Sequence, residues 1–317
     1  MLESYAGKSR NDCLRIKSSS GGIYGEIAQW VIKQNGCVFA CCYSQDLSVE
    51  YRKIENQDEL YMSYGSKYVA PFLGDTFKKV KFELGKNRFV MFVGLPCHCA
   101  GLKSYLGGGY EKFVCIDLIC HGVPSDKVWK KYLNGKDCIR VNMRDKSSGW
   151  SNVSYSWRFT KLDGKSYTIS WQNVSYMRGF VNDLYNRPSC SCCSFKGIKR
   201  SSDITLGDFW GIAERHPWLD DNKGTSALIV HSKMGEFVLD AIKDNLILEE
   251  VDIKDIYKQN PSLISPNKKH RNYEKFFAGL DDVDNMDMFI DMLLKENVIA
   301  ILMKKIRNVI GILCKRK

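Results

Sequence analysis

Cys190 and Cys193 have the C-x-x-C spacing that lets two thiolates reach one metal ion or cluster from a tight turn. Two ligands do not complete a site, and the best further pair is Cys97 and Cys120. Cys97 comes three residues after the apolar run Arg88–Gly94, and Cys120 directly follows the apolar run Phe113–Ile119. A cubane iron–sulfur cluster takes four thiolates, and a structural zinc accepts the same four. Zinc sites usually draw on two local pairs, whereas two of these cysteines come from separate strand ends, which tilts the set toward a 4Fe-4S cluster. The competing reading makes Cys97 and Cys120 ordinary buried thiols. Cys99, Cys115, Cys138, Cys192 and Cys314 are assigned to the core, as are Cys37, Cys41 and Cys42 in the apolar stretch Cys37–Tyr43. His98 and His121 flank two of the four and could donate to ligands or carry protons.

The elements that must position these thiols are legible as a pattern. Arg88–Gly94 and Phe113–Ile119 read as strands of a doubly covered parallel sheet, joined by a helix through Leu106 and followed by one through Leu133. Cys97 and Cys120 then fall past the carboxyl ends of adjacent strands, where open α/β sheets place their ligands. Residues 139–173 alternate around Asp163-Gly164 and predict an antiparallel β-ribbon insertion. The fold class expected is therefore α/β, mostly parallel with flanking helices, plus that ribbon and a C-terminal helix. Residues 1–255 form the expected main domain. Residues 256–317 make a polar loop (256–276) and a basic amphipathic helix. Lys17–Gly22, KSSSGG, opens a helix at Ile23, either as an ordinary serine cap or as an anion-facing helix start.

The chain has 317 residues, 44% hydrophobic and 26% charged, which suits a globular protein of one or two domains. The N-terminus has no apolar core of export-signal type, so a cytoplasmic, reducing setting is expected, with thiols in place of disulfides. The net charge is +11, and six Lys or Arg without an acid occupy the last fourteen residues. The other basic residues are dispersed, and no nucleic-acid-binding module is recognisable, so nucleic acid is not the expected partner. A phosphate-bearing cofactor, an acidic partner or an anionic membrane surface accounts for the charge equally well. The C-terminal helix could make peripheral membrane contact or pack on its own domain.

The ordered segments Lys17–Gly22, Gly65–Val69, Gly94–Leu106, Asp117–Trp129, Met143–Lys146 with Gly149–Trp150, Arg187–Gly211 and Asn222–Ser226 together resemble the coenzyme F-420 hydrogenase/dehydrogenase beta subunit family. The resemblance implies an oxidoreductase subunit that passes electrons between a 4Fe-4S cluster and FAD, and hydride to or from a deazaflavin (coenzyme F-420) or another organic substrate. It implies cluster ligation by Cys97, Cys120, Cys190 and Cys193. It implies cofactor contacts from Ser19, Ser20, Gly21 and Gly22, from Ser66, Lys67 and Tyr68, and from Asp208, Phe209 and Trp210. Many members carry an N-terminal ferredoxin-like segment, whereas only Cys13 precedes the KSSSGG motif here. A separate ferredoxin or electron-donor subunit is therefore the expected partner. Similar proteins in surface-polysaccharide biosynthesis settings supply the alternative, a reductive enzyme or a non-catalytic partner there.

Overall fold

The structure is a computed structural model and describes residues 2–295. Among these residues eleven strands form two sheets: β1 Glu3–Ser9, β2 Cys37–Tyr43, β3 Val49–Ile54, β4 Val90–Gly94, β5 Phe113–Leu118, β6 Arg140–Asp145, β7 Ser156–Thr160, β8 Ser166–Ser170, β9 Ile204–Asp208, β10 Ser226–Val230 and β11 Leu246–Glu250. The large sheet has the order β11-β1-β10-β9-β5-β4-β2-β3. Its centre, β2, β4, β5 and β9, is parallel, and β3, β10 and β11 run against that direction. The expected adjacency of the two apolar runs holds, with Val90 opposite Phe113 and Gly94 opposite Asp117. Every residue of β4 is buried, which explains its unbroken apolar run.

The ribbon is a three-stranded antiparallel sheet, β6-β7-β8, wider by one strand than a hairpin. Trp157 and Phe159 point from it into a core that also holds Trp129, Tyr176 and Tyr185. Residues 256–276, expected as loop, contain the end of the helix Ile253–Gln259 and the start of another, Tyr273–Gly279. Ile256 joins the core under β1 and β10, and Phe276 joins the core beneath the ribbon, so apolar positions spaced within a polar sequence anchor this stretch. The basic amphipathic helix expected beyond residue 295 lies outside the described residues. Among the described residues no helix is long and apolar enough to cross a membrane.

Candidate functional site

The helix Pro96–Leu106 starts with Pro96 at its first turn, where a missing N–H costs nothing. Cys97 therefore sits in the opening turn of a helix that leaves the end of β4. Cys120 follows β5 by two residues, in a turn where its Sγ approaches the Gly122 carbonyl at 3.9 Å. The loop carrying Cys190 and Cys193 is pinned to that turn from both sides. Arg187 N donates to Val123 O at 2.8 Å, and Lys196 Nζ donates to Cys120 O and, at 2.7 Å, to Ser262 O. Asn186 pairs with Pro124 in an isolated bridge. Three separate segments thus deliver four thiols to the carboxyl edge of β4 and β5.

The four are electrostatic neighbours. Burial pushes the Cys120 thiol up to about 12, with Lys196 opposing and Cys190, Cys97 and Cys193 adding to the rise. Burial on the inner side, then Cys193 and Cys190, raises Cys97, although that residue is exposed on its outer side. Among the described residues no three His, Cys, Asp or Glu side chains stand in closed metal-ligating geometry, so the thiols form a loose group. Protonated thiols have nothing to draw them together; a cation at the centre supplies that attraction and lowers their pKa values. The donor chemistry fits a four-thiolate group. Of the cysteines assigned to the core, Cys37, Cys42, Cys99 and Cys115 are buried, Cys41 and Cys138 are half-buried, and Cys192 is exposed beside the group. Cys192 corrects the expectation: it lies on the short 3-10 turn Pro188–Cys192, none of whose residues is buried, so the turn has no core side to take it. Cys314 lies outside the described residues.

The flanking histidines are held by specific partners. His98 Nδ1 meets Tyr51 OH at 3.0 Å, and burial, reinforced by Arg187, lowers its pKa to about 4, so the ring is neutral. His121 lies 3.2 Å from Asp183 Oδ1, contacts Asn267, and rests against the Phe180 ring.

The segments expected to touch a cofactor also converge. Ser66 Oγ donates to Ser19 Oγ at 2.8 Å, joining the Gly65–Val69 loop to the KSSSGG segment. Ser20 Oγ donates to Thr225 O at 2.8 Å, and Gly21 N donates to Ser226 Oγ at 2.9 Å. Gly22, at φ 88, is the N-cap of the helix Ile23–Lys33, and no side chain caps it. The ordinary serine cap is therefore not what forms: Gly22 adopts a left-handed conformation that serine tolerates poorly, and among the described residues no side chain caps the helix N-terminus. Arg144 is the hub. Its Nη2 donates to Ser19 O and to Asp208 Oδ1, each at 3.3 Å, and its guanidinium lies 4.1 Å from the Tyr155 ring centre and 4.9 Å from that of Trp210. Trp150 stacks on Trp210 at 5.2 Å and donates Nε1–H to Asp208.

Two of the expected residues face elsewhere. Lys67 donates to the carbonyls of Ser63, Tyr64 and Gly65, stapling its own loop. The Phe209 ring is fully buried among Trp150, Ile212 and Ile256. Tyr68 is half-buried, with its backbone tied to Met143 Sδ and Tyr176 OH. A surface depression of about 520 Å³, lined by Asp46, Lys130 and Asn134, touches none of these residues.

The two cations of the MRDK motif, Arg144 and Lys146, have no role that sequence pattern alone assigns. Arg144 is buried, and its Nε has no hydrogen-bond partner among the described residues. Lys146 Nζ donates to Arg15 O at 2.7 Å, Ser20 O at 2.6 Å and Lys223 O at 2.7 Å, and burial, with Arg144 and Arg15, lowers its pKa to about 7. The available signal was their spacing: i and i+2 along an extended chain share one face. A register shift between Asn142 and Asp145 then turns that face toward Ser19 and Ser20. A buried guanidinium with an orphaned N–H beside a helix N-terminus that no side chain caps is a donor set that fits a phosphate-bearing group.

A family model for the C-terminal part of the coenzyme F420 hydrogenase/dehydrogenase beta subunit matches residues 87–256. Among solved structures, a chain of the F420-reducing [NiFe] hydrogenase complex from Methanosarcina barkeri is similar in fold. Its TM-score is 0.53 at 12% identity, over 85% of this chain and 95% of that one. No curated protein sequence matches. The family match spans more than half of the chain, and the chain belongs to the coenzyme F420 hydrogenase/dehydrogenase beta subunit family, an oxidoreductase family.

Proposed function

We propose that this family member is an electron-transfer oxidoreductase subunit whose Cys97, Cys120, Cys190 and Cys193 hold a 4Fe-4S cluster and whose Ser19–Gly22, Arg144 and Trp210 surroundings hold FAD. The observation that carries the proposal is the delivery of four thiols from three segments to one edge of the parallel sheet, with Lys196 locking the segments together. When bound, these groups supply single-electron exchange on one side and hydride exchange with a deazaflavin or other organic partner on the other. The protein's own share is binding and orientation. Arg144, through its unpartnered Nε, and the uncapped N-terminus of the helix Ile23–Lys33 supply positive charge for phosphate oxygens. Ser19, Ser20 and Ser66 present hydroxyls from two loops. Trp210 stacks on Trp150 and lies against the Arg144 guanidinium, so it is held rigid beside these groups. Asp208 accepts from both Arg144 and Trp150, so its role is positioning.

The test is anaerobic purification, iron and sulfide analysis, and visible and electron paramagnetic resonance spectra after reconstitution. Iron and sulfide near four per chain are expected, with broad absorption that Cys190→Ser/Cys193→Ser abolishes. FAD binding is read separately by fluorescence quenching and is expected to weaken at least tenfold in Arg144→Met. Zinc in place of iron, with no sulfide, sinks the cluster assignment.

A further inference from the structure

The surface around the four thiols carries cations and almost no acid. Between Tyr185 and Ser202 the chain holds Arg187, Lys196, Lys199 and Arg200 and no carboxylate, and between Ile256 and Tyr273 it holds Lys258, Lys268, Lys269 and Arg271 and none. The fold packs these two stretches together. Gly197 N donates to Leu263 O at 2.8 Å, and the Arg200 guanidinium donates both to Phe195 O, at 2.7 Å, and to Leu263 O, at 3.1 Å. Some of the charge is spent internally: Lys196 and Arg200 on carbonyls, Lys269 on Glu274, and Lys258 on Asp255. Arg187, Lys199 and Lys268 are exposed and make no ion pair among the described residues. The acids bordering the two stretches are engaged: Asp183 by His121 and Asn186, Asp203 by Lys103, Asp255 by Lys258 and Glu274 by Lys269.

Two apolar side chains stand open within this charge. Phe195 is 40% exposed and Ile264 is 38% exposed, on stretches of loop that one guanidinium ties together. Among the described residues neither belongs to a core cluster; Phe195 follows Cys193 by two residues, and Ile264 follows Leu263, which Gly197 and Arg200 tie to the same loop. An apolar centre with a cationic rim is the anatomy of a protein contact, and so few residues suit a small, short-lived one.

We infer that this face, Arg187, Lys199 and Lys268 around Phe195 and Ile264, is the docking surface for a small acidic electron-carrier protein. The inference rests on the proposed cluster for its redox purpose, while the charge and exposure that define the surface do not depend on it. A carrier whose acidic surface surrounds its redox centre is steered to the cations and seats against the apolar pair, which brings the two centres to one edge. The electron passes from the reduced carrier to the oxidised cluster, one per encounter, with no atom transferred.

An acidic bacterial ferredoxin serves as the probe. With reconstituted protein, its second-order rate of electron delivery should fall steeply as salt is raised from about 0.02 to 0.3 M. Lys199→Glu/Lys268→Glu should lower the low-salt rate about tenfold or more and flatten the salt slope, with iron content and visible spectrum unchanged. The methyl viologen radical, a small cation, should deliver electrons to that variant no more slowly than to the native protein. Docking is read independently by titrating oxidised ferredoxin onto iron-free protein. Salt-sensitive binding that the double variant loses upholds the surface even if the protein never takes up iron, in which case only the redox reading fails. A native protein that binds the ferredoxin no better than the double variant does overturns the docking surface.

Discussion

At the scale of single residues, the least expected feature is a buried polar string beside the candidate cluster. Asp117 on β5, 1% exposed, accepts from Thr205 on β9, and the same Thr205 hydroxyl meets His231 Nε2 at 2.8 Å. Arg200 Nη1 lies 3.6 Å from Asp117 Oδ2. Burial raises Asp117 to about 6 despite Arg200, and burial, aided by Arg200, lowers His231 to about 4. The two have opposite signs. Asp117 binds more protons in the folded than in the unfolded state between about pH 4 and 6, so its share of stability falls as pH rises there. His231 binds fewer protons when folded between about pH 4 and 6.5, so its share rises with pH. In the native protein the two slopes largely offset. Asp117→Asn removes one of them, and stability measured by urea unfolding should then climb by up to about 3 kcal/mol from pH 4 to 6.5 relative to the native protein. A pH-independent difference between the two proteins contradicts this assignment.

None of that string was legible from the chain alone, because Asp117, Thr205 and His231 meet only after β9 is inserted next to β5 and β10 next to β9. The four thiols were more legible, since two end recognisable apolar runs and two share a spacing that has few other uses. The cofactor-side residues fell between. Ser19, Asp208 and Trp210, expected from resemblance, lie around Arg144, and Ser20, also expected, lies against Lys146. Arg144 itself was missed, since one cation within an alternating strand looks like a solvated position.

Elements followed their patterns where packing and local preference agree. Strands β2 and β4 came close to their expected bounds, because continuous apolar runs have few other solutions, whereas the helix expected from Ala100 begins at Pro96 and takes Cys97 into its first turn. Strands β1 and β11, at the far side of the sheet, gave no such signal: β1 carries Ser4, Lys8 and Ser9 in buried positions that only tertiary partners satisfy. Glycines separate the two situations. A Cβ at Gly101, within the helix Pro96–Leu106, would meet the Phe77 ring at 3.5 Å, an ordinary contact. Gly101→Ala should therefore stabilise the protein by about 0.5–1 kcal/mol through helix propensity. A Cβ at Gly21 would stand 2.4 Å from Gly7 O and 2.8 Å from Ser226 N, where KSSSGG passes between two strands. Gly21→Ala should cost at least about 1–3 kcal/mol in the same denaturation assay and weaken FAD binding with it. Equal effects of the two substitutions would deny that the KSSSGG segment is packed this closely.

Across the whole molecule, the ribbon sheet and the large sheet are tied through Arg144. Its guanidinium leaves β6, reaches Asp208 at the end of β9 and Ser19 O between the sheets, and sits between the Tyr155 and Trp210 rings. The Arg144 side chain is 1% exposed and that of Asp208 16%, so removing one partner strands the other away from full solvation. Arg144→Met should cost about 3 kcal/mol, at the low end for a broken buried pair because Trp150 Nε1 still reaches Asp208 at 3.2 Å. Arg144→Lys keeps a charge but not a fork or a flat face, and should fall between. The decisive comparison is the double variant. If the cost of Arg144→Met is chiefly an orphaned carboxylate, adding Asp208→Asn should return about 1–2 kcal/mol of it. If the cost lies in the lost stacking between Tyr155 and Trp210, the double variant gains nothing, and the two sheets are joined by the aromatic sandwich in place of the ion pair.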